Sequence, residues 1–87
     1  MVPVLVPSQL HAYTGGASRL TAEGATIDEV LTDLDRRFPG LRFRVIDEQD
    51  RIRPHMRIFV GQAAARDIGA SLAAGDELMI FGALSGG

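Results

Sequence analysis

Apolar and polar positions follow two different periods along this chain, and the switches between them set the expected order of elements. Val2-Pro3-Val4-Leu5-Val6 is short and rich in β-branched residues, the composition of a strand. Its prolines suit a strand end or a sheet edge. Leu10 through Tyr13 reads as a connection, Thr14-Gly15-Gly16 as a turn, and Ser18 through Ala22 as a weak second strand. Together they predict an N-terminal hairpin with a long loop. The period then lengthens: Ile27, Val30, Leu31, Leu34 and Phe38 fall on one helical face. Thr26 stands at the N-cap with Glu29 three residues later, the spacing of a capping box. Arg36 and Arg37 occupy the last turn, where the helix dipole favours cations, and Pro39-Gly40 ends the helix.

Beyond the helix, Leu41, Phe43 and Val45 alternate with Arg42 and Arg44, which predicts a strand or an irregular extended segment. Asp47-Glu48-Gln49-Asp50 reads as a polar loop, and Met56 through Val60 as a strand closed by Gly61. The alanine-rich stretch from Ala63 to Ala74 predicts a connection with a short helical turn, and Glu77 through Phe81 the last strand. The resulting architecture is α+β: a small mixed sheet with one main helix packed across it. The first and last strands are the most hydrophobic, so they are expected to pair in parallel at the sheet centre.

Composition narrows the function more than the fold. Eighty-seven residues make one domain. With 46% hydrophobic and 23% charged residues, the composition is that of an ordinary globular domain, and global disorder is not expected. The absence of cysteine excludes disulfides, cysteine-ligated zinc and thiol catalysis. All nine basic residues are arginine, so no side-chain amine can accept an isopeptide bond. A net charge of −2 and the lack of interleaved aromatics argue against nucleic acid as a partner. No apolar run reaches the length of a membrane span, and the N-terminus lacks the pattern of a secretory signal; the expected location is the cytoplasm. His11 and His55 lack ligand spacing, so no metal is expected, and no catalytic motif is present: the chain is not expected to be an enzyme.

The remaining signal is at the C-terminus. Gly75-Asp76-Glu77-Leu78-Met79-Ile80-Phe81 reads as a turn feeding a strand, and Leu84-Ser85-Gly86-Gly87 follows almost at once. The expected division is a folded domain over 1–81 and a flexible tail over 82–87. A glycine pair contributes little to packing, but it fits a narrow channel that larger residues cannot enter.

These segments resemble the ThiS/MoaD family of ubiquitin-like sulfur carriers. Leu10-His11-Ala12-Tyr13-Thr14-Gly15-Gly16 is similar to the family's first turn, and Thr26-Ile27-Asp28-Glu29-Val30-Leu31 with Leu34, Phe38 and Pro39 to its helix. Ile58-Phe59-Val60-Gly61 is similar to its third-strand motif, with Gly61 where asparagine is usual. The segment from Gly75-Asp76-Glu77 to Gly86-Gly87 is the specific part, although Gly82-Ala83 stands where proline is frequent. The Thr-Gly-Gly turn and the arginine-rich middle look most like the CysO-type carriers of cysteine biosynthesis, with the small subunit of molybdopterin synthase close behind.

The resemblance implies a β-grasp fold and a function carried by a backbone atom. An E1-like enzyme would use its own ATP to adenylate Gly87, and sulfur would then replace AMP to leave a C-terminal thiocarboxylate. The accepting enzyme would be a cysteine synthase-like protein or one like the large subunit of molybdopterin synthase; thiazole synthesis is a further destination. Gly86, Ser85 and Leu84 would form the tail. Phe81, Leu84, Phe59 and Met79 are the candidates for partner docking, with simple core burial the other reading of Phe59 and Met79. The arginines from Arg36 to Arg57 are either a solvated face or a site for an acidic partner. A ubiquitin-like protein modifier joined through Gly87, and a non-covalent β-grasp module, are the competing functions.

Overall fold

A computed structural model describes residues 1–82. Five strands form one sheet in the order β2-β1-β5-β3-β4. They are β1 (Val2–Leu5), β2 (Arg19–Ala22), β3 (Met56–Val60), β4 (Ala63–Ala64) and β5 (Leu78–Gly82). The hairpin of β1 and β2 is antiparallel, as expected, with Val4 opposite Leu20. β1 and β5 pair in parallel, Val4 with Leu78 and Leu5 with Met79, so the first and last strands do meet at the sheet centre. β3 runs antiparallel to β5 from Met56↔Gly82 to Val60↔Leu78. That register carries β5 one residue past Phe81, the strand end read from the sequence.

The main helix, α2 (Ile27–Arg37), forms as its pattern requires. The Thr26 hydroxyl accepts from the Glu29 backbone N–H at 3.2 Å, and the Glu29 carboxylate reaches back to accept from the Ala25 N–H at 2.7 Å. Ile27, Val30, Leu31 and Leu34 are completely buried, and Phe38 packs half-buried at the C-terminal end. They face a core that includes Val4, Ile58, Leu78 and Ile80. Asp33 ties the outer side of α2 to the sheet edge. Its carboxylate accepts from the Glu23 N–H at 3.1 Å and from Arg36 and Arg37 at 2.7 and 3.1 Å. The Glu23 N–H, helped by the two guanidinium charges, holds the Asp33 carboxyl below the usual carboxylate range.

Three segments differ from the sequence reading. The connection near Leu10 is helical, with a 3-10 turn over Ser8–Leu10 and a short α1 (His11–Thr14) that ends at the Gly15-Gly16 turn. The alternating stretch is α3 (Leu41–Val45), neither a strand nor an irregular extended segment. A run of five residues cannot separate the two periods, because Leu41 and Val45 share a face at i,i+4 as well as at i,i+2. The structure buries both and leaves Phe43 54% exposed. Gly40 starts this helix from φ 94°, a conformation costly for any residue with a Cβ, and the Asp35 carboxylate accepts from the N–H groups of Gly40 and Arg42.

The third difference is the alanine-rich stretch, which holds β4 and no helical turn. Its backbone is spent on α2 instead. The carbonyls of Ala70 and Ile68 accept from the N–H groups of Ile27 and Asp28, and the Leu72 N–H donates to Ala25 O. Two first-turn donors that no helix can satisfy internally are thereby satisfied.

Candidate functional site

The helix covers one face of the sheet, and period two in the strands decides what the other face carries. In β3, Met56 and Ile58 point into the core, so Arg57 and Phe59 point out; in β5, Leu78 and Ile80 are buried, so Met79 and Phe81 point out. Register brings them together. Phe59 lies opposite Met79, and Arg57 opposite Phe81. The Phe59 and Phe81 rings meet edge to face, with centroids 5.7 Å apart and planes at 76°. Leu5, paired with Met79 on one side and Arg19 on the other, extends the row across β1.

The result is an apolar strip of Leu5, Met79, Phe59 and Phe81 on the open face, with Arg19 and Arg57 at its margins. Leu5, Phe59 and Met79 are half-buried and Phe81 is 42% exposed, so Phe59 and Met79 lie outside the buried core. Leu5 was not among the residues singled out from the sequence. The signal was present, since Val4 must face inward if β1 lies beside β5, and Leu5 then faces outward.

Phe81 is one residue from the end of the described structure, so the strip reaches the point where the chain leaves β5. Leu84, Ser85, Gly86 and Gly87 lie outside the described residues. His11 sits in α1 with Nε2 buried and without a hydrogen-bond partner among the described residues, while His55 is exposed just before β3. The arginine-rich stretch divides. Arg36, Arg37 and Arg42 are paired with carboxylates, Arg42 with Asp28 at 2.9 Å and Asp50 at 3.3 Å, whereas Arg44, Arg51, Arg53 and Arg57 make no ion pair among the described residues.

A mixed five-stranded sheet crossed by one long helix, with a parallel first and last strand, is the ubiquitin-like β-grasp class. Within that class the sequence matches the ThiS family over residues 4–87, and the chain belongs to that family. It is similar to the sulfur carrier protein CysO of Mycobacterium tuberculosis, 31% identical over an alignment 91 positions long that covers 99% of this chain and 98% of that protein. The fold superposes with a TM-score of 0.91 on a chain from the crystal structure of the Amycolatopsis orientalis BexX/CysO complex, at 29% identity and over 100% of each chain. Small archaeal modifier protein 1 of Haloferax volcanii is similar at a TM-score of 0.73 and 26% identity, covering 95% of this chain and 97% of that one.

Proposed function

We propose that this protein is a sulfur carrier whose working atom is the C-terminal carbonyl carbon of Gly87. The observation that carries the reading is the family match, which runs through the glycine pair to residue 87. A carboxylate resists attack by sulfide until it gains a leaving group. The Gly87 carboxylate attacks the α-phosphorus of ATP held by an E1-like activating enzyme, and pyrophosphate leaves. Sulfide then adds to the acyl-adenylate carbonyl, AMP departs, and a thiocarboxylate remains. This chemistry explains how a chain without cysteine can carry sulfur. The chain itself is a co-substrate and no catalyst: nucleotide and catalytic groups belong to the partner.

The folded body serves as the handle. Five residues past Gly82 reach at most about 18 Å, at roughly 3.3–3.6 Å each. Whatever holds the body must therefore place it close to the partner's active site, and the Leu5, Met79, Phe59, Phe81 strip lies next to the outlet. Cysteine synthesis is the favoured destination of the sulfur, because the sequence relatives are CysO proteins; molybdopterin and thiazole synthesis rank next. We place the process in the cytoplasm; among the described residues no helix is long and apolar enough to cross a membrane.

Carrier-dependent exchange of pyrophosphate into ATP by the activating enzyme tests the first step. Exchange with the full chain and none after deletion of Gly87 is expected; equal exchange without Gly87 rejects the site. The likeness to a small archaeal modifier favours one further reading, conjugation through Gly87 to amines of other proteins. Adduct ladders in cells, lost with Gly87, would mark it.

A further inference from the structure

We infer that Arg44 and Arg53, with His55 and Phe43, form a second docking surface, one that receives carboxylates of a partner protein beside the outlet of the chain toward Gly87. These four residues line an open cavity of about 210 Å³. Arg36 and Arg37 are neutralised by Asp33, and Arg42 by Asp28 and Asp50, whereas Arg51 and Arg57 share with Arg44 and Arg53 the lack of an ion pair among the described residues. Arg44 and Arg53 are held differently. The Arg53 guanidinium lies 4.4 Å from the centroid of the Phe43 ring, and its Nε–H donates to Phe43 O at 2.7 Å. Arg44 lies 5.9 Å from the Tyr13 ring centroid. The close stack on Phe43 fixes the Arg53 guanidinium plane without cancelling its charge, which Asp47 offsets only from a distance, without an ion pair; Arg44 sits at the outer edge of cation–π range from Tyr13. The terminal nitrogens of both side chains donate no hydrogen bond to another described residue, and they keep the forked geometry that suits a carboxylate.

Position gives this cluster its use. His55 directly precedes Met56, whose register partner is Gly82, the last described residue. A partner seated on the cluster is therefore held at the strand ends, and a partner on the apolar strip is held on the adjoining face. One surface supplies desolvated area, and the other supplies orientation and speed of encounter. A long polyanion fits poorly, since the chain as a whole carries −2.

The inference rests on the carrier reading above, and the experiment separates the two. The full chain and its cognate activating enzyme are mixed at low and high salt, with affinity measured by calorimetry and thiocarboxylate formation by intact mass. Arg44→Glu, Arg53→Gln and the double Arg44→Glu/Arg53→Glu are compared, each with a thermal melt. Arg44→Glu and Arg53→Gln keep the test open if the double variant does not fold. Wild type should be converted, and the folded variants should bind about tenfold or more weaker at low salt, with a flattened salt dependence. Wild-type affinity in folded variants overturns the surface and leaves the carrier reading standing. Absence of binding and conversion in wild type overturns both. A shift of the Arg53 Nε–H resonance on adding inorganic phosphate, with enzyme affinity unchanged by the substitutions, overturns the protein partner in favour of a small-anion site.

Discussion

At the scale of single residues, close contact decides which small side chains are required. A Cβ added at Gly24 would stand 2.7 Å from the Val30 backbone nitrogen and 2.9 Å from the Glu29 carbonyl carbon, both fixed parts of α2. Gly24→Ala should therefore cost about 1–3 kcal/mol, read from urea unfolding. A Cβ at Gly82 also lands close, 2.5 Å from Gln9 Nε2, but Gln9 is exposed and its amide can swing away. Gly82→Ala should stay within about 0.5 kcal/mol of wild type. If the two variants melt alike, the packing of the 23–30 segment is described wrongly. Neither glycine's role was readable from sequence, because both depend on what lies across space. The capping pair Thr26 and Glu29 was readable, because its partners lie three and four residues apart.

At the scale of elements, α2 carries most of the local consistency. Leu34 is fully buried on its inner face, so Leu34→Ala should cost about 2–5 kcal/mol, a large share of the stability of a domain this small. A melt within a degree or two of wild type would place Leu34 off the core. Asp33 gives the same helix a pH dependence. Its carboxyl titrates below its ordinary value in the folded state, chiefly because the Glu23 N–H donates to it. The folded state then prefers the ionised form, and the resulting stability is present above the unfolded value near pH 3.9. It is lost as the pH falls through the depressed folded value. Melting temperature should be level around neutrality and decline below about pH 4, and Asp33→Asn should make that decline shallower. Identical acid profiles would show that Asp33 contributes nothing to it. The helix was legible because eleven residues repeat one period with caps at both ends. α3 was not, since five alternating residues satisfy helix and strand alike, and the deciding contacts come from Gly40 and the Asp35 carboxylate. The 63–74 segment misled for a related reason: alanine favours helix locally, yet its backbone groups are taken by the first turn of α2.

At the scale of the whole molecule, the fold presents a strip and an outlet on neighbouring parts of the sheet. Phe59, Met79 and Phe81 were legible as apolar candidates; that they lie side by side, joined by Leu5, follows only from the register of β1, β5 and β3. Phe81→Glu should leave the domain folded, because the ring is on the open face. It should also weaken binding to the activating enzyme and slow conversion, as should Leu84→Glu beyond the described residues. Wild-type binding by both folded variants would move docking away from this face. The central claim concerns Gly87, and intact mass spectrometry tests it most directly. After incubation with the cognate activating enzyme, ATP and sulfide, the full chain should gain the mass difference between one sulfur and one oxygen, and a chain extended by one residue after Gly87 should gain nothing. An unchanged mass with an active enzyme, or an equal gain in the extended chain, would contradict it.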